Sequence, residues 1–503
     1  MRKLERKKLE IDEKIKEDVK SAPFVSITHD GWTSLNTESY FTTTIHFISD
    51  TWMLNNAVLG TIQLKGSHTS ENIAAEFKAT QTKWNFPTPI ATTDNAANER
   101  KAYEINKWER FGCLGHKINL VVKNSLGVSE LGKLLGKARK MVTFFHQSSS
   151  ITDLFLEKQK VIFSGQSEQE QLIGHKLIID VVTRWNSTLY MLQRLNEQFP
   201  VLMALANDPS LTKHASTTIK NCIFTFEEQT VIENLVSLLD PFEKATTILC
   251  ADKTPTMHKV LPITTKLLRI IEISEEDIPV VRRVKEKMQE ELNRRATSDK
   301  ITLLGCIMNP FTKNLDFVPD QRESAYSYLR EEVFSNFMEV DIKKEKCNDE
   351  RTCAKDCEPE SPNVETELTE EGKRKIASPQ IIGQPCKKIK SADTEEWLDD
   401  VVCTGQSVIN QGSAAEIELQ RYLGTKIAEG DQVLSVLEWW KKHECFFPRI
   451  SKIAKKYLSI PGSSVSSERV FSLCGQIVNK KRCRLSPKNV DLLVSLNKNM
   501  AYW

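Results

Sequence analysis

Three acidic residues sit in settings that could do chemistry: Asp30 in Ile-Thr-His-Asp-Gly-Trp-Thr-Ser, Asp94 in Ala-Thr-Thr-Asp-Asn-Ala-Ala-Asn, and Glu468 in Ser-Ser-Val-Ser-Ser-Glu-Arg-Val-Phe-Ser. Two aspartates and a glutamate that converge in space can hold two divalent cations for phosphoryl transfer on nucleic acid. Each acid alone also has a plain structural reading. Asp30-Gly31 between strands is a hairpin turn. Asp94 at a strand-to-helix junction is an N-cap. Glu468-Arg469 on a helix is surface charge. A gap of 374 residues separates Asp94 from Glu468, so any shared site must be interrupted by a long insertion.

The elements that must position these acids are legible. Phe24–Thr28 reads as a short strand ending at Asp30. Glu38–Ser49, rich in Thr, Ile, Phe and Tyr, reads as a second strand. Trp52–Leu64 reads as a third, with Asn55-Asn56 as a local break. Short links predict antiparallel neighbours. Glu71–Trp84 has helical spacing, with Thr69 or Ser70 as N-cap and Pro87 and Pro89 beyond its end. Ile90–Thr93 is a fourth strand ending at Asp94. The order is β-β-β-α-β, and its crossover brings the ends of the first and fourth strands together at one edge of a sheet. The fold class expected is α/β: a ribonuclease H-like core with a mixed sheet, interrupted by a large all-helical insertion. The fold name itself is an analogy drawn from that order.

Arg110–Leu114 is a candidate fifth strand and His116–Leu126 an amphipathic helix. Helical periodicity then dominates in Leu131–Phe145, Leu172–Phe199, Phe226–Ile248, Met257–Ile271, Ile278–Ala296 and Ser324–Val340. Residues 341–412 are polar, charged and poor in aromatics, which reads as a disordered linker. Lys373-Arg374-Lys375 and Lys387-Lys388-Ile389-Lys390 within it have the spacing of a bipartite nuclear import signal or of an ordinary solvated linker. Further helices are expected at Ile417–Leu423, Val433–Trp440, Phe446–Leu458, Ser463–Leu473 and Asn489–Lys498. The units expected are a charged N-terminal helix at 1–21, the first part of the core at 22–128, the insertion at 129–340, the linker at 341–412, and a C-terminal region at 413–503 that completes the core.

Composition narrows the classes. The 503 residues carry 69 Lys and Arg against 67 Asp and Glu, a net charge of +2, so no global basic field points to nucleic acid. What counts is clustering, as in Lys441-Lys442, Lys455-Lys456 and Asn479–Arg484. No apolar run approaches the roughly 18 residues of a membrane span, so no membrane partner is expected. The N-terminus lacks the apolar stretch of a secretory signal. The 12 cysteines form no disulfide framework. Cys113-Leu114-Gly115-His116 is a Cys-x2-His element, but tetrahedral zinc needs four ligands. The nearest paired cysteines, Cys353 and Cys357, lie in the linker, so no zinc is expected. Arg184-Trp185 could stack on an unpaired base or grip a phosphate, or form an interface with an exposed Arg. Trp439, Trp440, Phe446 and Phe447 read equally as a subunit contact or as core.

Together these segments closely resemble the hAT superfamily of DNA transposases and the host proteins derived from them, with the zinc-finger BED domain-containing proteins as the nearest group. The matching motifs are Asp30-Gly31-Trp32-Thr33-Ser34, Thr93-Asp94-Asn95-Ala96-Ala97-Asn98, Cys113-x2-His116 with Asn119-Leu120, Arg184-Trp185-Asn186-Ser187-Thr188, and Pro461-x-Ser463-Ser464-x2-Ser467-Glu468-Arg469-Val470-Phe471-Ser472. The resemblance runs from about Phe24 to the C-terminus. It implies a catalytic triad of Asp30, Asp94 and Glu468 binding Mg²⁺ or Mn²⁺, with Cys113 and His116 beside it. It also implies a Trp185 that stabilises a flipped base while Arg184 contacts DNA, and a C-terminal dimerisation region containing Trp439, Trp440, Phe446 and Phe447. The expected partners are DNA and a second copy of the chain, without a small-molecule cofactor, in the nucleus. Residues 1–20 contain neither Cys nor His, so the family's N-terminal BED finger is absent from this chain. Three functions remain open: a metal-dependent transposase, a catalytically inactive domesticated transcription or chromatin factor, and a SUMO ligase-like member of the BED group.

Overall fold

A computed structural model describes residues 2–33, 38–64, 66–165, 169–182, 184–296, 298–345, 413–477 and 485–503. The N-terminal half begins with α1 (Arg2–Ser21), β1 (Ser26–Thr33), β2 (Ser39–Ile48), β3 (Leu54–Gln63), α2 (Ser70–Trp84), β4 (Ile90–Thr93), α3 (Ala97–Asn106) and β5 (Glu109–Gly112). The strands form one sheet in the order β3-β2-β1-β4-β5. β1, β2 and β3 pair antiparallel, while β4 lies parallel to β1 and β5 parallel to β4. The ribonuclease H-like β-β-β-α-β order expected from the sequence is present.

The chain then turns helical, with α4 (Leu114–Ser125), α5 (Ser129–Gln147), α6 (Ser149–Phe163), α7 (Trp185–Glu197), α8 (Phe199–Ala206), α9 (Lys213–Cys222), α10 (Phe226–Leu249), α11 (Met257–Ile270), α12 (Pro279–Arg295), α13 (Lys300–Ile307) and α14 (Arg322–Glu345). It closes with α15 (Ala414–Gly424), α16 (Val436–His443), α17 (Ile450–Leu458), α18 (Val465–Ile477) and α19 (Pro487–Lys498). The paired basic runs at 373–390 and the run at 479–484 fall outside the described residues. Among the described residues no helix is long and apolar enough to cross a membrane.

Alternation along the strands assigns the two faces of the sheet. Ile27, Ile45, Phe47, Ala57, Leu59 and Ala91 share a core with Ile73, Phe77 and Trp84 of α2, Tyr103 of α3, and Ile11, Ile15 and Val19 of α1. The charged N-terminal helix therefore buries its apolar stripe instead of standing free. Leu492 and Leu496 of α19 enter the same core. Tyr40 and Val58 pack against Val470 and Cys474 of α18 and Val490 and Val494 of α19. Elements from the far end of the sequence thus help to cover the sheet.

α19 also closes the exposed edge of the sheet. Edge strands present unpaired backbone groups that can template aggregation. Asn499, just past α19, accepts from the Val58 N–H at 2.8 Å and donates to the Val58 carbonyl at 2.9 Å, and Asp491 accepts from the Thr61 N–H at 2.8 Å. Two side chains thus stand in for a sixth strand beside β3.

Several sequence expectations shift. β1 does not end at Asp30: it runs on to Thr33, with Asp30 opposite Thr42 and Gly31 opposite Phe41, so Asp30-Gly31 is strand and not a turn. A Cβ on Gly31 would lie 3.2 Å from Phe41 Cζ, which explains a glycine within a strand. Asn55 and Asn56 pair normally with Phe47 and His46. The irregularity falls instead at Leu59, skipped between the pairs Thr44↔Val58 and Thr43↔Gly60. Leu172–Phe199 is not one helix. Only a 3-10 turn at Glu170–Leu172 precedes α7, because Gly174 takes φ +87° and Ser187 Oγ bonds the Val181 backbone N–H and carbonyl.

The buried faces also hold two imidazoles. Burial pushes the pKa of His46 down from 6.5 to about 3. The folded value lies below the unfolded one, so the stability from a neutral His46 is complete above the unfolded pKa and drains as pH falls towards the folded one. The loss should be about 1.4 kcal/mol per pH unit in that window. Denaturant melts near neutrality and near pH ~5 should therefore show wild type losing about 2 kcal/mol more than His46→Gln. Parallel losses in the two proteins would refute a buried neutral His46.

Candidate nucleic-acid processing site

Register and pleat bring the two aspartates together. β1 and β4 pair Ser26 with Ile90 and Thr28 with Thr92. Two residues further along each chain, on the same face, stand Asp30 and Asp94. β4 ends at Thr93, so Asp94 lies one residue past its strand, where its Oδ1 accepts the Ala96 N–H at 2.9 Å and turns the chain into α3. Asp30 Oδ1 accepts the Gly31 N–H at 2.9 Å.

The third acid arrives on a segment bolted to that same face. Ser26 Oγ donates to the Ser459 carbonyl at 2.7 Å, and Thr92 Oγ1 to the Pro461 carbonyl at 2.8 Å. Thr28 Oγ1 shares hydrogen bonds with the hydroxyls of Ser467 at 2.7 Å and Ser466 at 3.1 Å. Ser467 immediately precedes Glu468 in the first turn of α18. Trp32 lies 6.3 Å from Phe471 between ring centroids and stacks on Tyr40 at 4.8 Å. The Asp-Gly-Trp and Ser-Glu-Arg-Val-Phe motifs are therefore in contact across the sheet.

The helical region grips the segment from its other side. Ser463 Oγ donates to the Leu249 carbonyl at 2.8 Å, at the end of α10, and Gly462 N–H donates to Thr256 Oγ1 at 2.8 Å. Leu114 N–H donates to the Gly462 carbonyl at 3.1 Å. Arg469 pairs with Asp252. Cys113 is a hub and not a metal thiolate as placed. Its sulfur accepts N–H groups from His116 at 3.3 Å and Ser464 at 3.2 Å, and its own N–H donates to the Thr93 carbonyl at 2.8 Å. Burial raises its thiol pKa further, against the pull of the Ser464 bonds.

Electrostatics tie Asp30 to Glu468 and Asp94, and Glu468 to Asp94. Burial, then the charges of Glu468 and Asp94, push the Asp30 carboxyl up to about 8 against the Gly31 N–H bond. Glu468 is exposed to solvent, yet the protein around it displaces enough water to raise its carboxyl. Asp94 adds to that rise, while His116 and Arg184 oppose it. Arg184 and His116 therefore belong to the surroundings of Glu468. Arg184 is not inside a helix but at the N-cap of α7. The motif around it shapes that turn: Ser187 Oγ bonds the carbonyls of Arg184 and Val181, and Thr188 Oγ1 bonds Asp180, which also takes a bidentate grip from Arg139.

Two sequence readings need correction. Trp185 is only 4% exposed and packs in the helical core, so its ring has no free face for a flipped base in this conformation. Trp439, Trp440 and Phe447 are 1%, 0% and 2% exposed and form core within this chain, so they are not a dimer surface. Trp440 Nε1 donates to the Met308 carbonyl at 2.8 Å, and its ring stacks on Trp52 at 5.9 Å and Tyr422 at 5.2 Å. Phe446, at 57% exposure, is the member of that group free to meet a partner. Lys455 and Lys456 likewise serve internal pairs, with Glu444 and Glu332.

Sequence reasoning missed Glu99. It lies in the first turn of α3 and is buried. Burial, with Asp94 and Asp30 nearby, raises its carboxyl well above the usual range while Arg110 opposes the rise. Its signal was an acid one helical turn after the Asp94 junction, indistinguishable in sequence from a dipole-favourable first-turn Glu.

Donor chemistry at the site is all carboxylate oxygen from Asp30, Asp94 and Glu468, as hard Mg²⁺ or Mn²⁺ require. As placed, no three His, Cys, Asp or Glu side chains among the described residues are close enough to enclose a metal. The donor types fit a divalent cation, and the side chains would have to close on it.

A mixed five-stranded sheet joined to a helical insertion, with one acid on β1 and another just past the end of the adjacent strand β4, defines a ribonuclease H-like protein. Three family models match the chain: the ZBED1 RNase-like domain at residues 28–108, the ZBED1 RNase-like helical domain at 111–238, and the hAT family C-terminal dimerisation region at 418–500. A Zea mays protein described as an AC transposase is 24% identical over 491 residues, covering 93% of this chain and 56% of the relative. Zinc finger BED domain-containing protein 4 of Homo sapiens is 21% identical over 487 residues, covering 93% of this chain and 37% of the relative. The BED protein DAYSLEEPER of Arabidopsis thaliana is 24% identical over 492 residues, covering 93% and 62%. The chain belongs to the hAT family of transposases and transposase-derived BED-type proteins. It spans about half the length of the first of these relatives, 56%.

The segment that carries Glu468 is tightly fitted. A Cβ at Gly462 would lie 2.9 Å from Val260 Cγ2 and 3.0 Å from Leu249 Cδ2. Gly462→Ala should therefore cost about 1–3 kcal/mol in urea denaturation. Unchanged stability would mean that this segment is loosely held.

Proposed function

We propose that the chain is a transposase-derived, DNA-handling protein in which Asp30, Asp94 and Glu468 support metal-dependent cleavage and strand transfer of phosphodiesters. The observation that carries this reading is electrostatic. The charges of Glu468 and Asp94 raise the proton affinity of Asp30, and that of Asp94 raises the proton affinity of Glu468, although Glu468 lies 374 residues beyond Asp94. Such mutual repulsion is what a bound cation relieves. The three carboxylates would hold Mg²⁺ or Mn²⁺, whose chemistry there is to activate a water or 3′-hydroxyl and to stabilise the attacking and leaving oxygens. The chain's own contribution is to fix the two aspartates by strand register, to present Glu468 from a helix pinned to Thr28, and to place Arg184 and His116 beside it.

Nuclear location and pairing with a second copy belong to the same proposal. The dimer rests on the match of residues 418–500 to the hAT dimerisation region. The nuclear location rests on the basic pairs at 373–390. A second reading is a catalytically silent dimeric scaffold of the transcription-factor kind. The burial of Trp185 favours it, since the ring that would hold a flipped base is packed away.

Purified full chain incubated with plasmid DNA and Mn²⁺ separates the two. The enzyme reading predicts nicking that EDTA abolishes and that Asp94→Asn lowers by at least about 10²-fold. No nicking by the wild type, even with a BED finger fused to its N-terminus, would leave the scaffold.

A further inference from the structure

Beside Asp94, two cations stand without a carboxylate in ion-pair contact among the described residues. Arg110 is half-buried at the start of β5. Its Nη1 donates to the Asp94 carbonyl at 3.1 Å, to Asn95 Oδ1 at 3.2 Å and to Thr93 Oγ1 at 3.4 Å. All three acceptors are neutral. Lys117, in the first turn of α4, is also half-buried. Its ammonium lies 5.0 Å from the centroid of the Phe111 ring. Among the described residues neither Arg110 nor Lys117 has a carboxylate within ion-pair distance, and the Lys117 ammonium has no hydrogen-bond acceptor. The acid acting most strongly on Lys117 is Asp299, whose Oδ1 is occupied as the N-cap of α13, accepting the Thr302 N–H at 2.9 Å. Glu99, near Arg110, is held towards its neutral form by burial.

Asn95, held by Arg110, and Lys117 approach each other over Gly112. A Cβ built on Gly112 would lie 2.7 Å from Asn95 Oδ1 and 3.2 Å from Lys117 Cε. Glycine at 112 thus lets the Asn95 amide and the Lys117 stem meet over the backbone, with Arg110 holding Asn95 in place. Lys117 lines a shallow, mostly apolar recess with Phe111, Leu114, Val260 and Leu261, in which Ser298 and Thr302 carry hydroxyls. A partly desolvated ammonium without an acceptor is costly, and an anion drawn into the site would offset that cost.

We propose that Lys117, backed by Arg110 and Asn95, is a phosphate-gripping site that holds the nucleic-acid backbone next to Asp94. The proposal rests on the DNA-handling reading above and adds a residue that positions the substrate. Carboxylates repel a phosphodiester, and a cation on the Asp94 side gives the backbone a fixed point of attachment. Lys117 makes a point-charge contact of the kind that sets register without reading sequence. Arg110 is spent on neutral acceptors and mainly orients Asn95 and the turn at Asp94.

The test uses the full chain with two probes, a short fluorescein-labelled DNA duplex and inorganic pyrophosphate. Anisotropy titrations across a salt series should show Lys117→Met binding DNA more weakly at every salt concentration. Its log K against log [salt] slope should be shallower by about one. Lys117→Arg should restore both, and a merely structural role would not move the slope. Pyrophosphate should raise the melting temperature of wild type and of Lys117→Arg but not of Lys117→Met. Pyrophosphate stabilisation that depends on Lys117, with no DNA binding by the wild type, would keep the anion site and overturn the DNA-handling reading. Lys117→Met indistinguishable from wild type in both arms would overturn the proposal.

Discussion

The seating of Ser459–Glu468 on the sheet is the constraint on which the rest depends. This segment has little apolar surface of its own, so it cannot be held by burial alone. It is held instead by directional bonds from a row of small hydroxyl residues on β1 and β4, namely Ser26, Thr28 and Thr92. The end of α10 and the start of α4 meet it from the other side. Each bond contributes about 1 kcal/mol, but a buried polar group stripped of its partner costs about 1–3 kcal/mol. The network therefore specifies one position of α18 more sharply than its summed strength suggests. That position is what brings Glu468 to the two aspartates.

The same constraint explains why a helical insertion of such length is compatible with one site. α10 and the loop after it are a wall of the seat, since Leu249, Asp252 and Thr256 all bind the C-terminal segment. The aromatic group of α16 and its surroundings completes the join. Trp440 bridges Met308 from the helical region and Trp52 from the turn before β3. The region that matches the hAT dimerisation model is thus also an integral part of this chain's own core. Its removal would expose the sheet face and the β3 edge before it tested any dimer contact.

Much of the core was readable from the sequence because β-branched and aromatic runs, a capped helix and two prolines mark its order without help from tertiary contacts. β4 falls at Ile90–Thr93 and Thr69 caps α2, both as the spacing implies. What was not readable depends on partners far away in sequence. The Asp-Gly at 30–31 looks like a turn locally, yet β2 continues alongside it and extends the strand. Trp185, Trp439 and Trp440 carry the same apolar signal whether they face a partner or a core, and only the packing decides. The serines at 463–467 read only as the start of a helix, yet Ser463 staples the Leu249 carbonyl, and Ser466 and Ser467 the Thr28 hydroxyl, hundreds of residues away. Lys117 gave no sequence signal and Glu99 only that of an ordinary first-turn acid, because their meaning lies in what surrounds them.

The central claim is that residues 413–503 complete the same folded unit as residues 2–345. A single-site protease sequence placed between residues 345 and 413 allows a direct measurement: the mass of the cut protein by light scattering under native conditions. The account predicts that the two pieces stay together as one particle of unchanged mass and part only in denaturant. Spontaneous separation into two folded pieces after cutting would contradict it.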